Sequence, residues 1–250
     1  MSKPDLSIIC AGIRNYNWKT LYDSVVIPYS VEFIFVGPYA LPKELEHTNI
    51  KYCRDFGHAN RCQQIGLNLA EGLATTWMAD DGVFHSATLS KCMAMLLEQP
   101  DKTVITTKYT EGNDIVQPDS YYKLNNAYPH SQYIPNDWWI LNSGVFHTKY
   151  IKAIGGWDSQ FEVPCVAHAD LAVRVQRNGA NIIMLNESIC HCTHMPDRTG
   201  DHGPIHDAQI EHDTPLYRGM YSNQSCLSRT TIDINNWQNA STIWERRFNV

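Results

Sequence analysis

The chain has 250 residues, 43% of them hydrophobic and 18% charged, with 26 acidic against 20 basic side chains and a formal net charge of −6. That length supports one substantial core, a single α/β domain with a tail, rather than two equal domains. The acidic balance excludes a general nucleic-acid-binding face, and no run reaches the roughly 20 apolar residues needed to span a bilayer.

The amino terminus passes directly into a strand and reads as lacking a secretory leader. Leu6 to Ala11 is a short apolar run, followed by the polar loop Gly12-Ile-Arg-Asn-Tyr-Asn17 and an amphipathic stretch from Trp18 to Val26. Val31 to Val36 and Ile50 to Cys53 repeat the strand pattern, and helical patterns cover about 58–72 and 86–98. Ala74 to Ala79 reads as a buried strand ending in Asp80-Asp81-Gly82. Strands alternating with helices at this spacing predict βαβ units and a parallel sheet. Ligands of such sheets bind outside the carboxyl ends of the strands, where Gly12–Asn17 and Asp80–Asp81 both fall.

After Thr103 to Thr107 the pattern loosens, from about 109 to 137, into a Tyr-, Asn- and Pro-rich segment expected to be a β-hairpin excursion or a substrate loop. Order returns near Asp137-Trp-Trp-Ile-Leu-Asn-Ser-Gly144, with a short helix ending at Gly155-Gly156. Ala167 to Asn178 has helical spacing and stops at Gly179, and Asn181 to Leu185 is the next strand. From Met195 the chain is dense in Pro, Gly, His and Asp, and it is expected to be an irregular tail. The eight cysteines show no framework of spacings, so they read as reduced thiols of a cytoplasmic protein.

Two aspartates at a strand end suit a hard cation, because carboxylate oxygens hold Mg²⁺ or Mn²⁺ while phosphate oxygens complete the shell. The run Cys190-His-Cys-Thr-His194 has two readings. Strand alternation puts Cys190, Cys192 and His194 on one face, which offers a soft zinc set, although the spacing lacks a second ligand cluster. Otherwise it is a strand with incidental thiols. His168 and Asp170 lie near a predicted helix start, and each is a candidate proton acceptor.

Three elements in order resemble the family 2 glycosyltransferases of the GT-A fold, over roughly residues 5–195. Gly66-Leu-x-x-Ala70-x-Gly72, with the strand and acids that follow, resembles the run into that family's metal-binding Asp-x-Asp. Ile154-Gly-Gly-Trp-Asp158-x-x-Phe161 is similar to the Gly-Gly-Phe-Asp element beside its acceptor site. Ala167-His-Ala-Asp170-Leu-Ala-Val-Arg174, with Gly179 beyond, resembles its Glu-Asp-x-Asp-Leu helix. The pattern departs at Ala79, at Phe35-Val-Gly-Pro-Tyr39 and at Ala167-His168, each of which replaces family acids.

The resemblance implies a Rossmann-like α/β fold with a mixed, mostly parallel sheet flanked by helices. It implies a GT-A catalytic domain over 1–195 and an extension over 196–250 that packs on it, with the segment Met195 to Asp213 as a lid. A nucleotide-sugar donor, a UDP-sugar, and a carbohydrate or other hydroxyl acceptor are the implied partners. Asp81 and His194 are the implied ligands of Mn²⁺ or Mg²⁺, with His191 the alternative to His194 and Asp80 as partner or ribose contact. Arg14 and Asn15 stand where the family touches the nucleotide, and Trp157 with Asp158 resembles the acceptor platform. Asp170 is the expected base, with His168 second. Two other functions compete: a metal-dependent hydrolase built on the His/Asp-rich tail, and a non-catalytic nucleotide-sugar or glycan-binding module.

Overall fold

The computed structural model describes residues 3–46, 49–112, 114–115, 141–193, 202–222 and 229–240. Strands β1 (Leu6–Ala11), β2 (Val31–Gly37), β3 (Ile50–Arg54) and β4 (Ala74–Ala79) form a parallel block in the order β3-β2-β1-β4. Its central strands read as unbroken apolar runs because both faces are covered. Ile9, Ile34 and Val36 enter the core on one face, and Leu6, Ile8, Cys10, Phe33 and Phe35 enter the core on the other.

Helix α1 (Trp18–Asp23) packs on the second of these faces, where Trp18 stacks on Phe35 at 4.6 Å. Helix α2 (Ala59–Leu69) lies close on the first. Gly66 makes that approach possible, since a Cβ there would stand 2.4 Å from a methyl carbon of Ile9.

The remaining strands complete a mixed sheet. β5 (Gly82–Phe84) and α3 (Ser86–Leu97) follow the two aspartates, and β6 (Thr103–Glu111) and β7 (Asp114–Ile115) come next. β8 (Gly144–His147) pairs antiparallel with β4 and β6 and leads into α4 (Thr148–Ala153). Helix α5 (Pro164–Arg177) precedes β9 (Asn181–Cys192), which runs parallel to β6 and antiparallel to β5. The strand path is therefore β3-β2-β1-β4-β8-β6-β9-β5, with β7 beside β6.

β9 extends seven residues past the predicted end at Leu185, crossing register shifts near Lys108. Its long reach brings Cys192 opposite Gly82, beside the strand end that carries Asp81.

The tail differs from expectation. It contains α6 (His202–Ala208), a π-helical turn (Gln209–Asp213) and α7 (Thr214–Ser222). Ala208, Asp213, Tyr217 and Tyr221 are buried along it, a helical repeat that the density of His and Asp conceals in the sequence. Residues 229–240 then cross α2 and the Gly155-Gly156 turn. The Ile232 amide donates to the Ile154 carbonyl at 3.1 Å, and the Gln64 side chain donates to the Ile234 carbonyl at 2.8 Å. Among the described residues no helix is long and apolar enough to cross a membrane.

Candidate functional site

Parallel register sets Ala11 beside Ala79, so the loop after β1 and the residues after β4 emerge side by side. Asp80 turns back toward that loop. It accepts hydrogen bonds from the Ile13 amide at 2.7 Å, the Arg14 amide at 2.8 Å and the Arg14 Nε at 2.8 Å, and it pairs with a terminal guanidinium nitrogen of Arg14. Gly12 is required here, because a Cβ would lie 2.3 Å from the Asp80 Cβ. Another Arg14 nitrogen stands 3.6 Å from an Asp81 oxygen. The guanidinium thus bridges the two carboxylates. Asp80, expected as a ribose contact or metal partner, is instead committed to bracing the loop that presents Arg14.

Asn15 does not line the cavity beside this cluster. It donates to the Ala40 carbonyl at 2.8 Å and ties the loop after β1 to the loop after β2.

The cavity has a volume of about 280 Å³ and is lined by Arg14, Asp80, Asp81, Trp77 and His168 together with residues of β6 and β9. His168 is 6% exposed; the Gln63 amide lies 3.2 Å from its Nε2, and the Trp77 ring is 5.1 Å away. Burial pushes its imidazole down to about 3, so the ring is neutral at ordinary pH. On β9, Cys190 and Cys192 face the cavity, while His191 meets the Thr110 hydroxyl at 2.9 Å. Glu111 also lines it. The sequence offered no signal for Glu111, because the pattern of β6 loosens four residues before it.

Trp157, Asp158 and Asp170 lie elsewhere, in a buried knot. Gly155 and Gly156 turn with φ of +91° and +66°, a conformation open to glycine at little cost. A Cβ at Gly155 would also lie 2.2 Å from the Ile232 carbonyl oxygen. Arg174 clamps the turn: it donates to the Ile154 carbonyl at 2.9 Å and the Gly156 carbonyl at 2.5 Å, and pairs with Asp170 at 2.8 Å.

Asp170 also accepts from the Tyr221 hydroxyl at 2.5 Å and faces Arg229 at 3.4 Å, and Arg229 pairs with Asp158 as well. Asp170 is wholly buried and does not line the cavity. Its separation from His168 explains this, since two helical residues point about 200° apart. Trp157 is likewise fully buried, set edge-on to Trp77 at 5.1 Å, and Asp158 is 1% exposed. The expected base and acceptor platform therefore form the support behind the cavity wall.

In the tail, Asp213 accepts from the Glu162 and Val163 amides at 2.9 and 2.7 Å and pairs with His212 at 2.8 Å, docking the helices onto α5. Ile205 reaches the cavity rim. Residues 194–201, with His194 and the start of the expected lid, lie outside the described residues, as does most of the segment from 109 to 137. Among the described residues no three His, Cys, Asp or Glu side chains converge as a ready metal site.

No family model matches the sequence, and no curated protein does. Solved structures do. Residues 1–349 of S. aureus TarS match with a TM-score of 0.57 at 17% identity, over 76% of this chain and 60% of that one. TarS 1–349 in complex with UDP-GlcNAc matches with a TM-score of 0.55 at 18% identity, over 79% and 60%. Its complex with UDP matches with a TM-score of 0.57 at 16% identity, over 88% and 71%. The chain spans three fifths of the length of the first two of these solved chains. The fold is GT-A: a mixed α/β sheet flanked by helices, with its crevice at the carboxyl ends of β1 and β4.

Proposed function

We propose that the chain is a glycosyltransferase that takes a UDP-sugar and passes the sugar to a hydroxyl of a carbohydrate or other acceptor. The observation that carries this reading is Arg14 held between Asp80 and Asp81 at the crevice of a fold in which TarS binds UDP and UDP-GlcNAc. Arg14 is the cation for the donor's phosphate oxygens, and Asp80 and Asn15 fix the loop that carries it. Asp81, with His194, would hold Mn²⁺ or Mg²⁺, which would supply charge stabilisation for the departing diphosphate. The single carboxylate of Asp81 fits such an ion, because waters and phosphate oxygens fill most of its shell.

In the transfer, the acceptor oxygen bonds to the anomeric carbon as that carbon's bond to the diphosphate breaks, and the hydroxyl proton passes to solvent. His168 is the cavity-facing group that orients the hydroxyl: its Nε2 accepts from the Gln63 amide, so the neutral ring offers its Nδ1–H to the hydroxyl oxygen. Burial leaves the imidazole too weakly basic to retain the proton at neutral pH, so it orients rather than stores it. Asp170, Trp157 and Asp158 are positioning residues that hold the wall bearing His168 and Trp77.

Calorimetric titration with UDP, with and without Mn²⁺, tests the reading. Mn²⁺ should strengthen binding to the unaltered chain and leave Asp81→Asn unaffected. Absence of UDP binding in both conditions rejects a UDP-sugar donor. An unchanged Mn²⁺ effect in Asp81→Asn rejects Asp81 as the ligand.

A further inference from the structure

We infer that Cys190 and Cys192 form a binding site for a thiophilic divalent cation of the zinc class, separate in chemistry from the hard-ion role assigned to Asp81. The two residues are two apart on β9, so both side chains leave the same face of the strand, and both line the cavity. Neither is in a disulfide, and the neighbouring Cys190 thiol together with burial pushes the Cys192 thiol up.

The neighbouring strands set what surrounds the pair. Cys192 stands opposite Gly82 of β5 on one side and Glu111 of β6 on the other. Gly82 presents no side chain: a Cβ there would lie 2.3 Å from the Met78 sulfur and 3.2 Å from the Cys192 sulfur, so the missing methyl leaves room for both. Glu111 shares the face and lines the cavity. The Thr193 amide bonds to the Asp81 carbonyl at 3.3 Å, which fixes the strand end against that aspartate.

Two thiols with a carboxylate on either flank make a negative, sulfur-anchored pair. Thiolates select zinc-class ions over Mg²⁺, which prefers oxygen. Binding breaks each S–H bond, forms a sulfur–metal bond in its place and releases both protons to solvent. Because no three ligands converge beforehand, the sulfurs anchor the ion, while Glu111, Asp81 or water closes the shell. An ion there occupies the cavity that the proposed donor needs, so on that reading zinc-class metals inhibit.

The test uses Cd²⁺ as a spectroscopic probe on the full chain, kept reduced without added thiols. A sulfur-to-cadmium ultraviolet band should saturate at one equivalent with the strength of two thiolates. It should vanish in Cys190→Ser/Cys192→Ser and survive in Cys165→Ser, whose thiol lines the same cavity from α5. Mass-spectrometric alkylation of the unaltered chain gives a second readout independent of variant folding: Cd²⁺ should protect both residues at least tenfold, and Mg²⁺ should protect neither. A band that persists in the double variant, or no protection of either cysteine, overturns the site. With the band present, a tenfold or greater loss of UDP affinity on adding one equivalent of Cd²⁺ supports the inhibitory consequence, and an unchanged affinity overturns it. A chain that gives the band and never binds UDP keeps this site and loses the proposed function.

Discussion

Two clusters of charge, each built on an arginine between two aspartates, occupy this molecule and do opposite things. At the crevice, Arg14 joins Asp80 and Asp81 where β1 and β4 end, and all three line a cavity. Behind the wall, Arg229 joins Asp158 and Asp170, and Arg174 pairs with Asp170 with both side chains wholly out of contact with solvent. The first cluster keeps a face for a ligand. The second spends its hydrogen bonds on a glycine turn, a helix and the chain's closing segment. Residue type does not separate them; direction does, since what faces the cavity follows from strand register in one case and helical phase in the other.

The largest way to break the comparison is to open the buried knot. Arg174→Ala or Asp170→Ala leaves a buried partner uncompensated, which typically costs about 3–5 kcal/mol. Urea unfolding measures it, and a loss below about 1 kcal/mol would mean that the knot is not what holds the Gly155-Gly156 turn. Asp80→Ala should cost less, about 1–3 kcal/mol, because the freed amides and guanidinium lie at a cavity that water reaches. It should weaken UDP binding far more than the Arg174 variant does per unit of stability lost. Equal ratios of binding loss to stability loss in the two variants would erase the distinction between ligand face and support.

Acid offers a smaller, graded probe. Burial holds His58 down at about 4 and His168 at about 3. Between those values and the ordinary pKa near 6.5, the unfolded chain binds more protons than the folded one. Their contribution is therefore complete above about pH 6.5 and is lost as pH falls, at about 1.4 kcal/mol per pH unit for each. His58 caps α2 by accepting from the Arg61 amide at 3.1 Å, and His58→Asn preserves a capping acceptor while removing the titration. That variant should lower the acid slope by one proton's worth. An unchanged slope would place the titrating groups elsewhere.

Much of the fold was legible because its signals are local. The unbroken apolar runs of β1 and β2, the turn glycines and the helix stop at Gly179 each follow from a backbone or burial requirement within a few residues. Asp80 and Asp81 line the cavity at the strand end, where ligand sites of parallel sheets fall. What failed was direction. Trp157 and Asp158 follow a glycine pair whose positive φ values turn them inward, and Asp170 shares a helix with His168 on the opposite side. Glu111 was missed because its place depends on pairing with β9, 81 residues on in the chain. Long-range register leaves no trace in local pattern.

The π-helical turn at Gln209–Asp213 makes the length of the tail as consequential as its composition. Such a turn carries one residue more than an α-helical turn would. Removing that one residue closes the turn to α-helical pairing and keeps the helix beyond it in phase, whereas removing one from α7 rotates everything after it by about 100° about the helix axis. A deletion between Thr214 and Tyr217 would swing Tyr217 and Tyr221 away from the interior together, and Asp170 would lose its hydroxyl donor. A one-residue gap is thus accommodated at the turn and disruptive in α7, and a sequence comparison that treats the tail as a freely aligned loop discards the phase information that seats it.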